Sequence, residues 1–318
     1  MIAELEKKII ALEEINEEDA LGLIDAPLEE LCASANRIRQ HFCGDAFEIC
    51  SIINAKSGRC SENCKFCSQS SHYKSDVESY PLMDPDKILE TAIRDDRAGV
   101  QRFSAVTSGR KLSKDELNQL SEAIQKVKQN TELKVCASCG LLSKNDLKQL
   151  QKAGLSRYHN NVESSEQFFE TVCSTHTMDD KIKTISAAND LGIEICSGGI
   201  FGLGESWEDR VSMAFLVKRL NAKSIPINLL NPIPGTPFEK NRILSVNEMR
   251  RICAIFRFVN PSAFIRLAGG RGLMEDKGRS CLLSGANAVI SGEMLTTSGI
   301  NIESDLKMIE ELGYRIEK

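Results

Sequence analysis

The segment Phe47-Glu-Ile-Cys50-Ser-Ile-Ile-Asn54, followed at once by Lys56-Ser-Gly-Arg-Cys60-Ser-Glu-Asn-Cys64-Lys-Phe66-Cys67-Ser-Gln-Ser-Ser-His72-Tyr73, sets the reading of the whole chain. Its first half is short, apolar and rich in isoleucine, which predicts a buried strand. Its second half carries three cysteines within eight residues and has the Gly and Ser content of a loop. In an α/β barrel, a strand that hands thiols to the loop at its C-terminal end places them where such barrels keep their chemistry.

Seven further stretches repeat the strand pattern, at 102–108, 133–139, 157–163, 193–200, 224–230, 264–269 and 288–293. Between them lie amphipathic charged stretches, each with room for the crossover helix that parallel strands require. One such helix is predicted at about 85–98. Helix starts are marked at Ser113-Lys-Asp-Glu116, Ser143-Lys-Asn-Asp146, Ser164-Ser-Glu-Gln167, Ser206-Trp-Glu-Asp209 and Ser245-Val-Asn-Glu248. Each offers a hydroxyl to a first-turn N–H, in the manner of a capping box. The repetition predicts an α/β fold, a (β/α)8 TIM-type barrel over 45–300. An N-terminal helical extension at 1–44 precedes it, and a C-terminal helix in 301–318 follows. An open doubly wound sheet is the competing arrangement.

Composition narrows the function classes. The 318 residues are 42% hydrophobic and 27% charged, enough apolar content for a real core and against wholesale disorder. Forty Lys and Arg against 45 Asp and Glu give a net charge of −5, which excludes a broadly basic nucleic-acid binder. No apolar run approaches the roughly 20 residues of a membrane span, and the N-terminus lacks a secretory apolar block, so the expectation is a cytoplasmic protein. Twelve cysteines in a reducing compartment point to metal ligation or buried packing rather than disulfides. Cys32, Cys43, Cys173, Cys253 and Cys281 fall on predicted helices or helix-side loops and read as packing.

Three thiolates on one loop can hold three corners of a cubane iron–sulfur cluster and leave one iron open to a small molecule. A zinc site completed by His72 is the alternative. The spacing Cys60-x3-Cys64-x2-Cys67, with Phe66 before the third cysteine, resembles the signature of radical S-adenosylmethionine (SAM) enzymes. Further motifs are similar to the biotin synthase family over about 47–297. They are Tyr158-His159-Asn160-Asn161-Val162-Glu163, Cys196-Ser-Gly198-Gly199-Ile-Phe-Gly-Leu-Gly-Glu205, Pro226-Ile-Asn228, Ile265-Arg266-Leu267 and Leu295-Thr296-Thr297. The resemblance implies a radical SAM sulfurtransferase, a homodimer with an electron donor such as flavodoxin or ferredoxin. Its [4Fe–4S] cluster and SAM supply a 5′-deoxyadenosyl radical, and sulfur from an auxiliary cluster enters dethiobiotin to give biotin. Sister barrels, the hydrogenase-maturation and methylornithine-forming enzymes, share the triple and the fold. Residues 159, 161, 228 and 266, with cysteines at 136 and 196, favour sulfur insertion over them.

Site residues follow residue by residue. Alternate positions on the strands carry polar groups: Glu48, Cys50 and Asn54; Cys136 and Ser138; His159, Asn161 and Glu163; Glu194 and Cys196; Ser224 and Asn228. Burying these without partners costs roughly 1–3 kcal/mol each, so a lumen lined this way predicts a polar ligand. By resemblance, Asn161 and Glu163 contact the SAM ribose and the substrate ring, Lys181 the methionyl carboxylate, and Phe66 the adenine. Asn228, Thr296 and Thr297 meet dethiobiotin, and His159 stands where the family has an asparagine. Gly198 and Gly199 interrupt a strand and suit close approach of a ligand. For the auxiliary cluster, Cys136, Cys196 and Arg266 match family positions, while Ser104 stands where a fourth, cysteine ligand is expected. Cys50 shares the inward parity of its strand. Cys139 lies three residues after Cys136 and reaches the lumen only if that strand ends or twists. The expected auxiliary site is therefore a four-iron cluster with an extra sulfide, on Cys50, Cys136 and Cys196, with Cys139 and Arg266 as further candidates, rather than a [2Fe–2S] site.

Overall fold

The computed structural model of the chain describes residues 1–316. Three helices come first, α1 (Ile2–Ile10), α2 (Glu17–Leu21) and α3 (Leu28–Cys43). Strands and helices then alternate: β1 (Ala46–Lys56), α4 (Pro85–Arg97), β2 (Arg102–Thr107), α5 (Lys114–Asn130), β3 (Lys134–Ser138), α6 (Lys144–Ala153) and β4 (Leu155–His159). Two helices, α7 (Glu166–Val172) and α8 (Met178–Asn189), lead to β5 (Glu194–Cys196) and β6 (Gly199–Phe201). The series ends with α9 (Trp207–Arg219), β7 (Ala222–Leu229), α10 (Val246–Val259), β8 (Phe264–Leu267), α11 (Arg279–Leu282), β9 (Ala288–Ile290), α12 (Ile302–Glu311) and β10 (Arg315–Ile316).

The strands pair in parallel from β1 round to β9, and β9 returns to β1 with Glu48 opposite Ala288, so the sheet closes. β5 and β6 both pair with β7 and form one stave broken at Ser197 and Gly198, which gives eight staves. This is the expected (β/α)8 barrel, and closure removes the open-sheet alternative. Apolar residues of outward parity, such as Ile49, Phe103, Val135, Tyr158, Ile195 and Ile225, are buried against the helices. No helix among the described residues is long and apolar enough to cross a membrane.

The caps phase the helices as expected at Ser113, Ser143, Ser206 and Ser245, each with both bonds of a capping box. At α7 the frame is one residue later. Ser165 accepts from the Phe168 N–H at 3.0 Å, while Ser164 turns its hydroxyl to the Ser165 carbonyl. The stave expected at 157–163 starts at Leu155 and stops at His159. Beyond it an isolated parallel bridge forms at Glu163, opposite Gly199, with Glu163 in a left-handed conformation at φ +71°. The stretch at 288–293 ends at Ile290, because the Gly292 N–H turns away to the Ile300 carbonyl. After α12 the chain adds β10, which pairs with Ala46 and Phe47 of β1 outside the barrel; residues 317–318 of the expected C-terminal segment lie outside the described residues.

Candidate active site

The thiol loop leaves the C-terminal end of β1 through two left-handed residues, Gly58 (φ +71°) and Arg59 (φ +49°). A Cβ on Gly58 would lie 2.0 Å from Ser79 Oγ, so this tight exit requires glycine. The loop is then knitted to itself. The Cys60 N–H donates to the Gln69 carbonyl (2.9 Å), the Ser71 N–H to the Cys60 carbonyl (2.8 Å) and the Cys67 N–H to the Cys64 carbonyl (3.0 Å). Ser70 Oγ donates to the Glu62 carbonyl at 2.6 Å, and the Tyr73 hydroxyl to the Asn63 carbonyl. His72 Nε2 meets the Ser61 carbonyl at 3.0 Å, and the ring does not line the cavity that the three thiols face.

Cys60, Cys64 and Cys67 face a common cavity of about 210 Å³ together with Asn161, Glu163 and Lys181. Burial pushes the Cys67 thiol up to about 11, so metal binding there must displace a proton. Three soft donors converging beside an open volume fit an iron–sulfur cluster with one free corner.

A second, deeper cavity of about 320 Å³ opens inside the staves. Cys50 on β1, Cys136 on β3 and Cys196 on β5 line it, with Ser104 on β2 and Arg266 on β8. Phe66, Cys67, Asn161, Glu163, Asn228, Thr296 and Thr297 line its upper part, so the two cavities share Phe66, Cys67, Asn161 and Glu163. Cys139 does not line it. Strand β3 ends at Ser138, and Cys139 keeps the outward parity, buried in the apolar layer between staves and helices. It therefore drops out of the ligand set.

Beneath the three thiols lies a layer of buried charge. Glu48 accepts from Arg157 Nη1 at 2.6 Å, from Arg102 Nε at 3.1 Å and from Arg266 Nη2. Burial alone would raise its pKa, but the guanidiniums of Arg266, Arg157 and Arg102 outweigh that and hold the carboxyl well below the usual range. Half-exposed Glu194 adds a second carboxylate, 2.9 Å from Arg157 Nε and 3.6 Å from Arg102 Nη2. Three cations over two anions leave an electropositive floor, suited to a group bearing thiolates. Arg102 Nη1 reaches Cys136 Sγ at 3.5 Å, while burial raises Cys136 and pushes Cys50 up to about 12. Arg102 and Arg157 were absent from the sequence reading. Their signal was there, since 102 and 157 share the inward parity of Ser104 and His159.

Higher in the barrel, His159 Nδ1 lies 3.3 Å from Cys196 Sγ, which sets this ring beside the thiol ring rather than among the substrate groups alone. Burial lowers its pKa to about 4, so it is a neutral imidazole at pH 7. Asn161 Nδ2 donates to Glu163 (3.3 Å), and Lys181 Nζ donates to the Asn161 carbonyl (2.9 Å). Burial raises the Glu163 carboxyl despite Lys181 and His159 nearby. A non-glycine residue held at positive φ in such a site stores strain of order 1–3 kcal/mol.

On the side where a Cβ would lie, the close approach at Gly198 and Gly199 is by protein. A Cβ at Gly198 would lie 2.1 Å from the Pro226 carbonyl oxygen, and one at Gly199 2.4 Å from that of Glu163. Neither glycine lines either cavity. They act one step back: the Gly198 N–H donates to Asn161 Oδ1 (3.1 Å), and the Gly199 carbonyl accepts from Asn228 Nδ2 (2.9 Å). A further grouping was missed. Cys64, Cys173 and His176 bring their ligand atoms within 4.8 Å of one another, although Cys173 read as packing.

Comparison with known proteins assigns both halves of the chain. Residues 55–217 match the radical SAM superfamily, and residues 226–315 the biotin and thiamin synthesis associated domain. Biotin synthase of Brachyspira hyodysenteriae is 56% identical over 314 residues, covering 99% of this chain and 94% of its own. That of Clostridium botulinum is 48% identical over 315 residues, covering 99% of each. Among solved structures, methylornithine synthase superposes with a TM-score of 0.86 at 20% identity, over 99% of this chain and 97% of its own. A maturase of the [FeFe]-hydrogenase gives 0.83 at 16% identity, over 98% and 74%. These two share the fold.

Proposed function

Because the chain belongs to the biotin synthase family of radical SAM enzymes, we propose that the loop thiols and the lumen thiols hold two different clusters, one at the barrel mouth and one deeper. The enzyme inserts sulfur into dethiobiotin to form biotin, with SAM as co-substrate. The sister-enzyme alternative gives way to the near full-length identity with biotin synthases.

When bound by Cys60, Cys64 and Cys67, a [4Fe–4S] cluster supplies the electron that cleaves SAM to the 5′-deoxyadenosyl radical. The chain's residues bind and orient. Lys181 offers its ammonium to the methionyl carboxylate as a point charge, without an arginine's fork. Asn161 and Glu163, locked together and to Gly198, present an amide and a carboxyl to the ribose and the ureido ring. Phe66 borders both cavities and meets the adenine. Asn228, pinned by Gly199, and Thr296 and Thr297 receive dethiobiotin, whose chain lies along the apolar wall of Ile200, Leu230 and Ile233.

The observation that carries the deeper assignment is the ring of Cys50, Cys136 and Cys196 around one cavity, with Ser104 as a hard oxygen in the remaining place. A serine is a poor ligand for iron–sulfur chemistry. Arg266 lines the same cavity and donates through Nε to Ser224 Oγ (3.1 Å), Nη1 to the Val289 carbonyl (2.8 Å) and Nη2 to Glu48. In this reading the guanidinium tunes charge at the deeper site. Cys50, Cys136 and Cys196 would hold a four-iron cluster, which would supply the sulfide that is transferred. A homodimer, a flavodoxin- or ferredoxin-type donor and a cytoplasmic location complete the proposal, with the barrel of 45–300 flanked by 1–44 and 301–318.

The test is an anaerobic reaction of reconstituted protein with SAM, reductant and dethiobiotin, followed by mass spectrometry. Biotin should appear together with 5′-deoxyadenosine. 5′-Deoxyadenosine with no biotin or sulfurated intermediate would overturn the assignment.

A further inference from the structure

We infer that Cys173 is a positioning residue for the cluster of the thiol loop: its S–H donates a hydrogen bond to the Cys64 sulfur and raises that cluster's reduction potential. The inference rests on the reading of Cys60, Cys64 and Cys67 as cluster ligands.

Cys173 caps the C-terminal end of α7 and is buried behind Cys64, off the cavity that the three loop cysteines face. Its Sγ lies 3.7 Å from Cys64 Sγ. Three other acceptors surround it, Asn63 Oδ1 (3.4 Å), Thr175 Oγ1 (3.4 Å) and His176 Nδ1 (3.3 Å). A donor–acceptor inventory shows that two of them are already used and that Thr175 Oγ1 keeps one lone pair. His176 Nδ1 sits 2.6 Å from Glu62 Oε2, so this nitrogen carries the proton given to that carboxylate and cannot accept another. Thr175 Oγ1 donates to the same Glu62 oxygen (2.8 Å) and accepts the Asn63 N–H (3.1 Å). Asn63 Oδ1 accepts the Ser174 N–H (3.0 Å) and the Thr175 N–H (3.2 Å). The Cys64 sulfur (3.7 Å) and one lone pair of Thr175 Oγ1 (3.4 Å) are the acceptors left open, and the sulfur is the preferred one once it is a thiolate.

Metal ligation strengthens this preference. A ligating Cys64 is a thiolate, the strongest acceptor in the group, and a second anion at 3.7 Å is disfavoured beside it. Glu62, His176 and Cys173 are all buried, so the donor is held in one orientation by groups that are themselves held. Reduction adds negative charge to the cluster and its sulfurs. A hydrogen bond to a ligand sulfur therefore stabilises the reduced state more than the oxidised one, which raises the potential. Cys173 does not line the cavity that the three loop cysteines face, which places it outside their ligand set.

The test uses full-length protein in a Cys136→Ala, Cys196→Ala background, so that only the loop cluster reports. The midpoint of its one-electron reduction is followed by EPR in an anaerobic redox titration, beside iron and sulfide analysis. With Cys173→Ala added, the iron content should persist and the reduction equilibrium should shift roughly tenfold toward the oxidised form, about 59 mV for one electron. Cys173→Ser keeps a donor and should stay nearer the parent. An unchanged midpoint in Cys173→Ala at full iron content would overturn the inference. Loss of iron in both variants would also overturn it, because Cys173 would then be ligating or structural. Absence of any cluster signal in the parent would instead defeat the reading of the loop.

Discussion

Removing the carboxylate of Glu48 tests whether the charged floor holds the barrel closed. Arg266 has Glu48 as its charged partner and otherwise meets a hydroxyl and backbone carbonyls. Arg157 and Arg102 also pair with Glu194, so Glu48→Ala strands one buried guanidinium and weakens two. Breaking a buried ion pair from one side costs about 3–5 kcal/mol, and the shared network keeps the loss within that range rather than tripling it. For a chain of this length 1 kcal/mol corresponds to about 2 °C, so the metal-free protein should melt roughly 6–10 °C lower by circular dichroism. Glu48→Gln keeps the volume and an acceptor and should lose less. The acid side supplies a second check. The folded pKa of Glu48 is depressed, so its contribution is complete above the unfolded carboxylate value of about 4.3 and is lost as pH falls toward the folded value. The stability gap between wild type and Glu48→Gln should therefore be widest near neutrality and narrow below about pH 4. A melting change under about 2 °C in Glu48→Ala, or a gap that widens with acid, would refute the reasoning.

Three further outcomes are expected. In protein lacking the 60/64/67 triple, reconstitution should give about four irons per chain, unaffected by Cys139→Ala and sharply reduced by Cys50→Ala; two irons in the parent would point back to a [2Fe–2S] site. Lys181→Ala should weaken SAM binding about 10- to 100-fold in anaerobic equilibrium dialysis, the value of a hydrogen bond to a charged group, whereas Lys181→Arg should stay within a few-fold. Gly198→Ala drives a Cβ to 2.1 Å from the Pro226 carbonyl oxygen and should cost at least about 2 kcal/mol in denaturant melts, while Gly272→Ala, with nothing within 4 Å, should stay within about 0.5 kcal/mol.

The barrel was legible because its signals are local. Serine caps with an acid three residues on fixed α5, α6, α9 and α10, and each followed an apolar run whose parity alone divides lumen from outer layer. What failed was also local in kind but depended on backbone angles that residue type does not reveal. The β4 strand stops at His159, and four residues on Glu163 takes φ +71° in an isolated bridge to Gly199; nothing in glutamate announces a left-handed conformation. Gly198 and Gly199 were visible as a break, but whether a ligand or the chain itself fills the space beside them is a question of three-dimensional approach. The answer is the backbone of Pro226 and Glu163.

Parity also explains how far the site could be read. Counting in twos from Cys136 excludes Cys139 and counting from Asn54 includes Cys50, and the structure keeps both results. The same count from Ser104 and His159 yields Arg102 and Arg157, yet arginine in a barrel lumen becomes intelligible only when Glu48, on another stave, is seen to pair with both. A buried cation is identified by its partner, and partners here lie 54 and 109 residues apart in the chain. The Glu62, His176 and Cys173 grouping has the same character, with separations of 114 residues for the carboxylate–imidazole contact and 109 for the two thiols. The residues proposed to hold metals were thus exposed by spacing and parity, while those that set the charge and hydrogen bonding around them are defined by closure of the barrel.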